Sequence, residues 1–198
     1  MSTKTILCLG DSYTIGELVV LEDNFPNQLH QLLLQKGLVF DVPKIIATTG
    51  WTTDELQKAI DEEKIHQCYD IVTLLIGVNN QYRGRSLENY RSEFENLLKQ
   101  AIQFSKQKNV VVLSIPDWGC TPFAEGKDRN KIALEIDAFN KSKKEICDRY
   151  KVPFLDITHY TRNNLEDLLS SDGLHYSAKM YELWTADLFQ LLQQNKLI

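Results

Sequence analysis

Four polar segments of the chain carry the residue types that could do chemistry: Gly10-Asp11-Ser12-Tyr13, Gly50-Trp51, Gly77-Val78-Asn79-Asn80 and Asp172-Gly173-Leu174-His175. Together they hold a hydroxyl, an imidazole, a carboxylate and amide donors, the set that acyl transfer to a serine requires. A neutral serine hydroxyl is a weak nucleophile, so Ser12 needs a base within hydrogen-bond reach, and His175 is a residue of that type. Asp172, three residues before His175, can hold the other imidazole nitrogen within a compact turn and stabilise the imidazolium. The tetrahedral oxyanion then needs preorganised donors, which the backbone N–H groups of Ser12 and Gly50 and the side-chain amide of Asn79 can supply, each worth about a hundred-fold in rate. Taken singly these residues are ordinary: a serine caps a helix, a glycine makes a left-handed turn, an asparagine caps a strand. Only the full set points to catalysis. Asp11 reads as a structural acceptor of backbone hydrogen bonds that shapes its turn.

Something must bring the four segments together. Short β-branched runs alternate with stretches of helical period, the pattern of a parallel sheet with crossover helices. The strands are expected at Thr5 to Leu9, Val42 to Ala47, Asp70 to Ile76, Asn109 to Ile115 and Val152 to Ile157, with the apolar third and fourth central. Helices are expected over Asn24 to Gln35, from Thr52 with Glu55 as a capping box, over Ser86 to Gln107, over about Asp128 to Tyr150 and from Ser177 onward. Right-handed crossovers then give a three-layer α/β/α sandwich around a five-stranded sheet, and in such sheets the ligand crevice lies at the carboxyl ends of the strands. Each of the four segments follows a strand or precedes the last helix.

Residues 1–198 read as one domain, long enough to bury a full core. The formal net charge of −5, from 22 Lys+Arg against 27 Asp+Glu, weighs against a nucleic-acid partner. The densest basic stretch, Lys141, Lys143 and Lys144, is interleaved with acids and reads as a solvated helix face. No apolar run is long enough to span a membrane, and the N-terminal run Ile6 to Leu9 is shorter than a signal-peptide core, so the expected location is the cytoplasm. Cys8, Cys68, Cys120 and Cys147 lack metal-ligand spacing and read as buried or inert thiols. His30, His66 and His159 read as surface or satisfied side chains. The chemistry calls for no cofactor and no metal.

In order and spacing the motifs resemble those of the SGNH hydrolases, also called GDSL esterases and lipases. Gly10-Asp11-Ser12 matches the first block, Gly50 the second, Gly77-x-Asn79 the third and Asp172-x-x-His175 the last. The resemblance spans almost the whole chain and implies a flavodoxin-like sandwich that hydrolyses esters or thioesters. It implies Ser12, Asp172 and His175 as triad, with Ser12, Gly50 and Asn79 as oxyanion hole. Three departures stand out: Tyr13 in place of leucine, Asn80 in place of the usual aspartate, and Tyr176 where proline is frequent.

Tyr13, Trp51, Tyr82, Trp118 and Phe123 are candidate substrate contacts, with packing of loop aromatics as the alternative. Tyr82-Arg83-Gly84-Arg85 could hold an anionic leaving group, or form a solvated loop. The leading expectation is a serine esterase acting on a small-molecule or lipid ester, either a small-acyl esterase or a lysophospholipase- or thioesterase-like enzyme. The alternative is a non-catalytic module that binds a small ligand or anion at the sheet edge. Oligomeric state is not legible.

Overall fold

The computed structural model describes residues 3–163, 165 and 167–198. Five short runs rich in Ile, Val and Leu pair as one all-parallel sheet: β1 (Ile6–Gly10), β2 (Lys44–Ala47), β3 (Ile71–Leu75), β4 (Val110–Leu113) and β5 (Phe154–Leu155), in the order β2-β1-β3-β4-β5. Between them run α1 (Ser12–Ile15), α2 (Phe25–Gln35), α3 (Thr53–Glu63), α4 (Val78–Tyr82), α5 (Leu87–Gln103), α6 (Arg129–Tyr150), α7 (Thr158–Thr161) and α8 (Ala178–Gln194). Helices α2 and α8 pack together, and α5 packs between α3 and α6, covering the sheet on both faces. This is the expected α/β/α sandwich.

The chain leaves β1 for β2 on one side and then crosses to β3 on the other, so connections diverge between β1 and β3. Such a switch point opens a crevice at the carboxyl ends. Ser12 follows β1 and Asn79 follows β3, so the topology alone sets them beside one another. Gly10, opposite both Ala47 and Leu75, makes the approach possible: a Cβ there would lie 2.4 Å from Leu75 O.

The third strand is central as expected, but β1 is as completely buried as β3 and β4, because the edges fall to β2 and β5. Strand β1 keeps the expected length but is shifted by one residue, to Ile6–Gly10, whereas β2 to β5 are shorter than the β-branched runs. Helix α5 ends at Gln103 rather than Gln107: Gln107 and Lys108 adopt left-handed φ of 56° and 61°, and Lys106 N–H donates to Tyr69 O instead of continuing the helix. Ser177 stands at the N-terminus of α8 without bonding its amides, its hydroxyl donating to Asp167 O. Among the described residues no helix is long and apolar enough to cross a membrane.

The basic stretch on α6 is not one solvated face. Lys143 is fully buried, its Nζ donating 2.7 Å to Leu113 O and lying 5.4 Å from the Phe94 ring centroid. It falls on the stripe of Ile136, Phe139 and Ile146, four residues after Phe139 and three before Ile146, so helical period carries it inward. The thiols divide too: Cys8 and Cys147 are buried and pushed up to about 12 by that burial, whereas Cys68 is exposed.

Burial pushes the Lys143 amine down to about 7, against the charges of Cys147 and Asp11. Burial likewise raises the Asp11 carboxyl to about 7, opposed by the Tyr13 N–H bond and the charge of Lys143. The raised carboxyl contributes stability that is full below its unfolded value of 3.8 and lost as pH rises through about 7. The depressed amine contributes stability that is full above its unfolded value of 10.5 and lost as pH falls through about 7. Lys143→Met keeps the volume but strips Asp11 of its counter-charge. Urea unfolding of variant and wild type should therefore show parallel pH dependence below about pH 6. Above about pH 7 the variant should lose ground by roughly 1.4 kcal/mol or more per pH unit. A constant offset across pH 5 to 9 would show that Lys143 does not offset the Asp11 charge.

Candidate active site

Asp11 caps the short helix α1, its Oδ1 accepting from Tyr13 N–H at 3.1 Å, which turns the chain sharply after β1 and leaves Ser12 in the first helical turn. Ser12 is only 4% exposed, and what it exposes lines a cavity of about 510 Å³, open mouth included. Tyr13, Thr49, Gly50, Val78, Asn79, Tyr82, Trp118, Phe123, Leu174 and His175 complete the wall. His175 and Ser12 share this cavity, though no hydrogen bond joins them.

The turn before α8 orients the imidazole of His175. Gly173 takes a left-handed φ of 65°, which lets Asp172 Oδ1 accept from the N–H groups of both Leu174 (3.0 Å) and His175 (2.9 Å). Its Oδ2 then meets His175 Nδ1 at 2.6 Å. A carboxylate only accepts, so the proton sits on Nδ1 and Nε2 keeps its lone pair. Partial burial acts to raise the Asp172 carboxyl, but the bond from Leu174 N–H and the bonds and charge of His175 outweigh it and hold the group below its ordinary value. Phe123 N–H donates 3.0 Å to Gly173 O and fastens this turn to the segment carrying the aromatic wall.

Gly50 lies in the turn Thr48–Trp51, closed by Trp51 N–H donating to Thr48 O at 3.2 Å. With Gly50 at φ 86° and Thr49 outside the positive-φ region, the turn is type II, whose third residue favours glycine. Among the described residues neither Ser12 N–H nor Gly50 N–H donates within the protein. The Asn79 amide gives one N–H to Trp51 O at 2.9 Å, which fixes the side chain and leaves its second N–H uncommitted. Three donors of the kinds expected for an oxyanion site thus line or border one cavity.

Asn80 explains one departure from the family motif. It is fully buried, accepts from Thr53 N–H at 3.1 Å and donates to Thr53 Oγ1 at 2.6 Å, while the Thr53 hydroxyl donates to Glu93. An aspartate here would set a second carboxylate against the oxygen that already donates to Glu93. The amide supplies the donor that this chain of bonds needs.

Tyr82, Trp118 and Phe123 form a mutually packed trio, with ring centroids 5.2 to 6.1 Å apart. The indole is locked by Trp118 Nε1 donating to Gln81 Oε1, and Gln81 in turn donates to Glu135, both at 2.7 Å. Tyr13, although at the cavity wall, is 2% exposed and packs against the rings of Tyr176 (5.3 Å) and His175 (5.8 Å), so it backs the imidazole. Tyr176, like Tyr13 a departure from the family motif, is buried in the same cluster with Trp184. The Trp51 side chain does not line the cavity; only its carbonyl takes part, through Asn79. Nor are the arginines of the Tyr82–Arg85 segment free for an anion, since Arg83 pairs with Glu55 and Arg85 with Asp54.

Thr49, Val78 and Leu174 line the cavity, and Gln81 braces its Trp118 wall, without any signal in the sequence beyond their place in or beside the motifs. The Asp11 side chain accepts one backbone hydrogen bond, from Tyr13 N–H, and His30 is buried with Nε2 bonded to Phe40 O at 2.9 Å.

With this geometry in place, relatives become informative. No curated protein matches the sequence. Among solved structures, the lipase/acylhydrolase from Enterococcus faecalis superposes with a TM-score of 0.78 at 20% identity, covering 98% of this chain and 97% of that one. TesA gives 0.74 at 17% identity, covering 98% and 100%. Axe2, an acetylxylan esterase from Geobacillus stearothermophilus, gives 0.74 at 18% identity, covering 96% and 94%. At such identities these likenesses establish the fold. The family model for GDSL-like lipases and acylhydrolases matches residues 8–183, a span that runs from within β1 past His175 into α8. The chain therefore belongs to the GDSL-like lipase/acylhydrolase family, and with it to the ester-hydrolysing serine enzymes.

Proposed function

We propose that the chain hydrolyses carboxylic or thio esters of neutral, apolar acyl groups through an acyl-enzyme on Ser12. The observation that carries this reading is the 2.6 Å bond between Asp172 and His175, made at a cavity that Ser12, Gly50 and Asn79 also line. His175 Nε2 takes the Ser12 proton as Oγ attacks the acyl carbon. The carbonyl oxygen, now an oxyanion, is met by the N–H groups of Ser12 and Gly50 and by the free N–H of Asn79. Collapse expels the alcohol or thiol, which receives its proton from His175. Water, giving a proton to the same nitrogen, then attacks the acyl carbon and releases the acid and Ser12. Asp172, held ionised, stabilises the imidazolium in both halves.

The aromatic Tyr82, Trp118 and Phe123 wall and the pairing of Arg83 and Arg85 with acids favour an uncharged acyl group over a phosphorylated or carboxylated one. The similarity to an acetylxylan esterase supports an oxygen ester with a small acyl group.

Hydrolysis of p-nitrophenyl acetate, butyrate and octanoate tests the reading, together with labelling by a serine-directed phosphonate. Turnover of the short esters with one phosphonate bound per chain is the expected result. No turnover across a panel of esters and thioesters, with no label on Ser12, would replace the hydrolase by a binding module.

A further inference from the structure

Arg83 is tied to the cavity through backbone rather than through the cavity itself. Its Nη2 donates 2.6 Å to Gly50 O, while Nη1 donates 3.2 Å to Glu55 Oε2. That same carboxylate oxygen accepts from Thr52 N–H at 2.8 Å, so one guanidinium bridges the Gly50 turn to the first turn of α3. Asn79, four residues before Arg83 and on the same helical face, holds the next carbonyl, that of Trp51. Two successive carbonyls of the loop are gripped from one side of a single short segment.

We propose that Arg83 is a positioning residue for the oxyanion site, acting by anchoring Gly50 so that its N–H stays turned into the cavity. Glycine visits both signs of φ readily, so nothing in Gly50 itself enforces its φ of 86°. If the Thr49–Gly50 peptide flips, the N–H leaves the cavity and the Thr49 carbonyl, of the wrong polarity for an oxyanion, replaces it. Fixing Gly50 O and Trp51 O anchors that peptide from its C-terminal side. The Arg83–Glu55 pair is 42% and 40% exposed, so it adds little to stability and its removal should leave the fold intact. Its effect is geometric. Arg83 does not line the cavity, which separates this role from substrate binding.

The inference rests on the esterase reading, so its test has two arms. In the kinetic arm, Arg83→Ala should lower kcat on p-nitrophenyl butyrate about ten- to a hundred-fold, less than loss of a whole oxyanion donor, with KM within about two-fold. Arg83→Lys should recover part of that loss, and added guanidinium ion should partly rescue Arg83→Ala. Arg85→Gln, which breaks the pair with Asp54 alone, should behave as wild type. A kcat for Arg83→Ala within about two-fold of wild type, or a rise in KM alone, would overturn the assignment. The second arm needs no turnover: ¹⁵N relaxation dispersion should show new exchange at Gly50 and Trp51 in Arg83→Ala. Unchanged relaxation there would overturn the anchor. If wild type hydrolyses no ester, the esterase reading fails and the relaxation arm alone decides whether Arg83 holds the loop.

Discussion

Ser12→Ala should abolish ester hydrolysis by about a thousand-fold or more while leaving the protein as stable as wild type. The asymmetry follows from where the hydroxyl sits. Among the described residues Ser12 Oγ has no hydrogen-bond partner, so its removal orphans no buried group, and alanine suits the first turn of α1. Of the other hydroxyls on the cavity wall, that of Tyr13 is buried behind the imidazole, Thr49 donates to Glu17, and the weakly nucleophilic phenol of Tyr82 belongs to the aromatic trio with Trp118 and Phe123. Activity that survives should be the modest excess over water that oxyanion donors and substrate binding supply on their own. Loss of phosphonate labelling should accompany loss of kcat, with melting temperature unchanged. A variant keeping a tenth or more of wild-type kcat would remove Ser12 from the mechanism.

Asp172→Asn should cost about ten-thousand-fold in kcat, a larger loss than its isosteric change suggests. One carboxylate oxygen accepts two backbone N–H groups and the other accepts from His175 Nδ1. An asparagine keeps the two backbone bonds only by facing its NH₂ toward the imidazole. That NH₂ donates to Nδ1, which moves the ring proton to Nε2, the nitrogen that must receive the proton of Ser12. The turn survives and the base does not. Measured kcat should collapse with KM nearly constant and the circular dichroism spectrum unchanged. Retention of more than about a tenth of activity would show that the carboxylate does not set the tautomer.

Both expectations rest on residues that could be found without coordinates, because Ser12, Asp172 and His175 lie in short segments whose spacing is local. The Asp172 turn is the clearest case: three residues and one glycine suffice to aim a carboxylate at an imidazole. Lys143 was also within reach, since its place on the stripe of Ile136, Phe139 and Ile146 outweighs its charge, and charge pattern alone pointed the wrong way. The aromatic candidates divide for a different reason. Which of Tyr13, Trp51, Tyr82, Trp118 and Phe123 meets the cavity depends on how each loop packs on its neighbours, and no periodicity records that.

The sequence by itself determined the order of the strands and the longer helices along the chain, the identity of the chemical groups and the turn that joins Asp172 to His175. Each of these is set by periodicity or by residues within a few positions of one another. Tertiary structure alone decided that Asn80 ties α4 to Thr53, that Gln81 locks Trp118, and that Arg83 holds Gly50 O instead of an anion. Those contacts join residues about thirty positions apart, brought together at the carboxyl edge of the sheet beyond β2, β3 and β4. A side chain's chemistry is carried by its own position, but its partner is chosen by the path the chain takes through space.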